Sequence, residues 1–216
     1  MSTVVSDDAR GDAEQSAAAF RALHALRIKG FAKVEVIAEI ADVPVGEARE
    51  HLVAFEAAEV VSFREARALW QLTSAGRDEH ARLLAADVAG VVDGELGRPY
   101  VAFLALNEEM KTLCGRWQLR DGEINDHRDH GYDAAVVAAV ADLQDRAAPV
   151  VRRLADVLPR LAPYERRLGQ ACQRFVRGET NMFTGVMCGS YHDVWMELHE
   201  DLILSQGIER AAEGSF

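Results

Sequence analysis

Apolar residues recur along most of the chain at the spacing of buried helix faces, and one short region breaks into strand rhythm. From Ala17 to Lys29 the positions Phe20, Leu23, Leu26 and Ile28 fall near helical spacing, and Gly30 marks the stop. Val34, Ile37, Ala38 and Ile40 make a second, shorter stripe ended by Pro44. Ala48, Leu52 and Phe55 make a third at i, i+4 and i+7, a helix core stripe. "VVSF" and "ALWQLT" then read as two strands around the polar turn "REAR". A further helix opens at "SAGRDEHARLLAADVAG", with Ser74 as its expected N-cap.

Beyond the glycine-rich "GVVDGELGRP" the chain is helical throughout. Val101, Leu104, Met110, Leu113 and Trp117 suggest one buried side, and "LRDGEINDHRDHG" reads as a polar loop. Val136, Val140, Leu143, Ala147, Val150, Leu154 and Val157 step by fours and threes, a heptad seam along one long helix that Pro149 would kink. Tyr164, Leu168, Cys172 and Phe175 mark another helix, followed by the joint "TNMFTGVMCG". In the last helix Tyr191, Trp195, Leu198 and Leu202 form one stripe, and His192, Met196, His199 and Ile203 the next. Asp193, Glu197, Glu200 and Asp201 are expected on its solvated side. The pattern predicts a mainly α fold: a disordered tail over 1–16, a first domain over 17–90, and an all-α helical bundle over 91–216.

Helix, helix, turn, helix, hairpin, helix is the order of a winged helix-turn-helix. The run "LTSAGR" after a strand, preceded by "VVSFREAR", resembles the wing and following helix start of the MarR-type winged-helix regulators. The resemblance spans residues 20 to 83, less than a third of the chain. It implies a ligand-responsive transcriptional regulator that binds double-stranded DNA as a homodimer. The C-terminal half departs from the single-domain MarR layout, so the resemblance says nothing of its effector.

Charge complicates that picture. The chain carries 24 Lys and Arg against 35 Asp and Glu, a net charge of −11. Both halves are acidic, which excludes broad affinity for nucleic acid or anionic membrane while permitting a local basic patch. The expected recognition helix holds Glu47, Glu50, Glu56 and Glu59 against Arg49 alone. At 100° per residue, Gly46, Glu50, Val53 and Ala57 face away from its core stripe, with Arg49 to one side and Glu47 to the other. Arg49 suits a guanine and Glu50 a cytosine amino group. Phosphate contacts fall to Lys33, Arg64, Arg67 and Arg77. A protein-interaction or assembly module that does not bind DNA is the alternative reading, favoured by the exposed Val53 and Ala57 and the acidic balance.

Asn107, Trp117, Tyr191, His192 and Trp195 are amphipathic groups on apolar helix faces, and together they suggest a pocket for a small-molecule effector. His127, His130, His192 and His199 are weak candidates for a metal. Histidines seven apart on a helix sit about 10.5 Å apart along its axis, too far to share one ion. No cofactor and no metal are expected, and motifs such as GxSxG, GxxxxGK[ST] and HExxH are absent, so no catalytic residue is assigned. Three widely spaced cysteines read as reduced thiols buried as small apolar groups. With no apolar leader and no run of about 20 apolar residues, a cytoplasmic protein without a membrane partner is expected.

Overall fold

The computed structural model describes residues 7–91 and 94–208. The chain is mainly helical and divides at Gly90 into two compact units, Met1–Gly90 and Val91–Phe216. Among the described residues, no helix is long and apolar enough to cross a membrane.

The first unit runs α1 (Asp7–Lys29), β1 (Phe31–Ala32), α2 (Val34–Ala41), α3 (Val45–Ala57), β2 (Val61–Arg64), a 3-10 turn (Glu65–Arg67), β3 (Leu69–Leu72) and α4 (Ser74–Val88). Helix α1 starts ten residues before the apolar stripe does, so 7–16 belong to a helix and not to the expected tail. Alanine, arginine, glutamate and glutamine supply good helix formers along it. Residues 1–6 of the expected tail lie outside the described residues.

Gly30 ends α1 in the left-handed conformation, its N–H returning to the Leu26 carbonyl at 2.9 Å. The two-residue β1 carries too little alternation to be read from sequence. It adds to the sheet in the order β1-β3-β2, antiparallel throughout, with Phe31 opposite Gln71 and Phe63 opposite Trp70. Leu23, Leu26, Ile37, Ala48, Leu52, Val61 and Trp70 form the shared core. Asp42, in the left-handed region, closes α2 at Ala41, and Pro44 is the N-cap of α3.

The α3-to-β2 turn has a glutamate where glycine is usual. Glu59 is left-handed (φ 59°), and the Val60 N–H reaches back to the Phe55 carbonyl at 2.8 Å. Thr73, not Ser74, caps α4. Its hydroxyl accepts from the Gly76 N–H at 3.0 Å and donates to the Glu59 carbonyl at 2.7 Å. The threonine and glycine of "LTSAGR" thus tie the start of α4 to the end of α3.

The second unit consists of α5 (Gly97–Gln118), a two-stranded hairpin of β4 (Leu119–Arg120) and β5 (Glu123–Ile124), α6 (His130–Val157), a 3-10 turn (Pro159–Leu161), α7 (Ala162–Val176), the short α8 (Asn181–Thr184) and α9 (Tyr191–Gln206). The hairpin lies within the expected polar loop. Asp121 and Gly122, both at positive φ, are the turn that its "DG" calls for. Asp129 caps α6 by accepting from the Tyr132 N–H at 3.0 Å, so His130 is helical.

The heptad seam on the 28-residue α6 is buried from Val136 through Leu154, past the interior Pro149, and Val157 is half-buried. On α5 the buried stripe is Tyr100, Phe103, Asn107, Met110, Leu113 and Trp117. Val101 is 67% exposed, because it lies one residue, about 100°, off that stripe. Helix α9 reverses another expectation. Glu197 and Asp201 are buried, since Arg167 pairs with Glu197 at 2.7 Å and Arg160 with Asp201. Of the cysteines, Cys172 is buried, Cys114 half-buried and Cys188 exposed; all three are free thiols.

Candidate functional site

Helix α3 turns Ala48 and Leu52 into the first unit's core and leaves Gly46, Arg49, Glu50, Val53 and Ala57 in solvent. The 100° arithmetic for its outward face therefore agrees with the packing. Glu47 is half-buried, with the His51 ring one turn on at 3.6 Å. Lys33 is exposed at the N-cap of α2, and Arg77 is exposed in the first turn of α4. Arg67 ends the 3-10 turn between β2 and β3, also exposed. Arg64 closes β2. In the amide orientation that satisfies both groups, the Gln71 oxygen accepts from Arg64 Nη2 at 2.7 Å and Nε at 3.1 Å. Glu56 is exposed, and its carboxylate accepts from the Phe63 N–H at 3.1 Å.

An open groove of about 610 Å³ lies beside the C-terminal end of α3. Phe55, Val60 and Ala75 supply its apolar side, and Asp78 and Glu79 an acidic one. Arg82 donates to Glu79 at 2.7 and 2.8 Å and holds its carboxyl below the usual range. This unit also holds a buried imidazole pair that no local sequence pattern marks. His24 Nδ1 and His80 Nε2 are 2.8 Å apart, with the rings stacked and Phe20 beside them. Fifty-six residues separate the two, and neither carries a local signature.

In the second unit the expected effector residues are joined by ring contacts. The Trp195 indole N–H donates to Asn107 Oδ1 at 2.9 Å, and its ring stacks on Phe103 at 5.0 Å. Tyr191 follows at 5.8 Å, then Phe183, which stacks on Phe175; Trp117 meets Phe175 edge-on at 4.9 Å. Asn107, Trp117, Tyr191 and Trp195 therefore share one aromatic core, while His192 is only half-buried on α9. Asn107 Nδ2, Gln144 Oε1 and the hydroxyls of Tyr100 and Tyr191 are buried side-chain atoms with no hydrogen-bond partner within the protein. Burial pushes the Tyr191 phenol well above its ordinary range, so it stays protonated.

The four histidines do not gather. His127 packs on Trp117 at 4.4 Å and lies 3.1 Å from Asp133, His130 is exposed on α6, and buried His199 lies 5.4 Å from the Phe103 ring. Among the described residues, no group of three or more His, Cys, Asp and Glu side chains is arranged to hold a metal ion.

Comparison with known protein families, with curated proteins and with solved structures returns no match.

Proposed function

We propose that the chain is a ligand-responsive transcriptional regulator: a MarR-like winged helix-turn-helix in the first unit contacts double-stranded DNA, and an effector is sensed in the helical second unit. The observation that carries this is the exposed row Gly46, Glu50 and Val53 on α3, edged by Arg49 and accompanied by Arg64 and Arg67 around a two-stranded hairpin. A helix with its core side buried and its far side bare, next to a hairpin bearing cations, suits a major groove and its flanking phosphates. The cations per protomer are few, so a homodimer on two half-sites supplies the affinity. Effector binding shifts the population between dimer states that fit both half-sites and states that do not.

Fluorescence anisotropy against the DNA upstream of its own gene, read across a salt series, tests the proposal. Binding should weaken steeply with salt, and Arg64→Ala/Arg67→Ala should flatten that slope by about one for each phosphate the variant no longer touches. Arg49→Ala should weaken binding roughly 5- to 150-fold at the cognate site. Wild-type affinity in all of these variants would overturn the reading surface.

One observation favours a second reading, a protein-interaction module. The groove beside α3 combines an apolar side with acidic residues, which suits a basic apolar peptide better than DNA. A stable complex in pull-down, with no DNA binding at low salt, would select it.

A further inference from the structure

Phe31 is the one aromatic among the large apolar side chains that the described residues leave exposed, at 49%. It belongs to the edge strand β1 and stands opposite Gln71 of β3, with Ser62 of β2 beyond. Cross-strand partners share a face of the sheet. Phe31, Gln71 and Ser62 therefore line its outer side, while Ala32, Trp70 and Phe63 line the core side.

Two cations flank the exposed ring. Arg64 reaches across this outer face to Gln71, directly opposite Phe31. Lys33 follows Phe31 by two residues on extended backbone, so it leaves the chain on the same side. Neither cation is in an ion pair among the described residues.

The groove beside α3 offers the complement. Phe55, Val60 and Ala75 give it an apolar floor, with about 610 Å³ of room. Asp78 lines it, and exposed Glu59 stands between the lining residues Ala58 and Val60. Glu79 is engaged by Arg82, but neither Asp78 nor Glu59 is in an ion pair among the described residues. Val60 leads into β2, and β3 separates β2 from β1. A chain thus holds its own Phe31 at the sheet edge away from its own groove.

We infer that the occupant of this groove is a second copy of the chain. Phe31 of one protomer seats on Phe55, Val60 and Ala75 of the other, and Lys33 and Arg64 meet Asp78 and Glu59. An aromatic anchor flanked by cations matches an apolar floor flanked by carboxylates in both shape class and charge. Ring and groove are different surfaces of one chain, so a twofold axis closes the pair by making the contact twice. Lys33 and Arg64 are also cations assigned to phosphates, so this self-association competes with DNA, and a dimer spanning two half-sites uses another surface. The competition rests on the regulator proposed above; the contact itself does not.

Sedimentation velocity of the full-length protein over a dilution series, at low and high salt, tests the contact. Self-association that weakens with salt is expected. Phe31→Ser should weaken it at least about tenfold and leave the circular dichroism unchanged, because the ring is a surface group. Lys33→Glu/Arg64→Glu and Glu59→Lys/Asp78→Lys should each weaken it as well, and the two sets combined in one chain should restore it. With Phe31→p-benzoylphenylalanine, illumination should join two copies through the groove residues, as located by mass spectrometry. A chain that stays monomeric, wild-type association in Phe31→Ser, no recovery in the combined variant, or an adduct elsewhere would overturn the contact. If the contact holds and Phe31→Ser binds DNA no more tightly than the wild type, the competition falls. If the contact holds and no DNA is bound, the regulator falls alone. If DNA is bound and Phe31→Ser associates as the wild type does, the contact falls and the regulator stands.

Discussion

Gly76 lies so close to the Val60 carbonyl that a β-carbon on it would stand 1.9 Å from that oxygen, with Leu72 3.1 Å away on another side. The backbone of α4 thereby rests directly on the turn that leads into β2. This close approach explains why a glycine, poor in helix interiors, sits in the first turn of this one.

Gly76→Ala should therefore destabilise the first unit by about 3 kcal/mol or more, because the clash is with backbone and no side chain can rotate away. Urea unfolding followed through the buried Trp70 reads the effect. A change below about 1 kcal/mol would show that the turn can shift to make room.

In the second unit, Glu197→Ala would leave Arg167, 3% exposed, without the carboxylate 2.7 Å away. Breaking a buried pair from one side costs about 3–5 kcal/mol, whereas replacing both partners with apolar residues is often neutral. Glu197→Ala should accordingly lower the denaturation midpoint far more than Arg167→Met/Glu197→Leu does. Equal decreases would mean that the pair is worth more than its desolvation.

The cysteines should separate by reactivity. Burial pushes Cys114 and Cys172 up to about 11, and Cys188 lies exposed. At pH 8 iodoacetamide should label Cys188 first, with mass spectrometry locating the adduct. The stability effect follows from the same shifts. Between the unfolded value of 9.0 and about 11 the unfolded chain loses these two protons while the folded chain keeps them. The thiols' contribution is thus complete below pH 9 and is lost as pH rises towards 11. Cys114→Ala/Cys172→Ala should flatten the alkaline limb of a stability profile.

How much of this was legible in the sequence depended on whether the deciding partner was near or far along the chain. The α6 seam was legible because each member predicts the next at three or four residues. The outward face of α3 follows from the same periodicity. On α5 the apolar spacing sets Val101 on the buried side, and only the faces of the neighbouring helices select Tyr100 and Phe103 instead. Glu197 and Asp201 read as solvated because a helix sequence bears no mark of arginines 30 and 41 residues upstream. The pairing of His24 with His80 was hidden for the same reason. Of the candidate sites, the cations around α3 could be named residue by residue. The aromatic core of the second unit could be named only in part, because Phe103, Phe175 and Phe183 join Trp117, Tyr191 and Trp195 only through what the other helices bring opposite them.

Glu197 and Asp201 stand one turn apart on α9, and their arginines run the opposite way, Arg167 for the first and Arg160 for the second. Sliding α9 by one turn, about 5.4 Å, would carry Asp201 towards Arg167. Glu197 would then move up against Ala171 and Cys172, and Arg160 would be left behind. Leu202 would take the place of Leu198 without change of shape, so that part of the apolar face does not forbid the slip. The two ion pairs are not interchangeable, and they key the helix to a single notch.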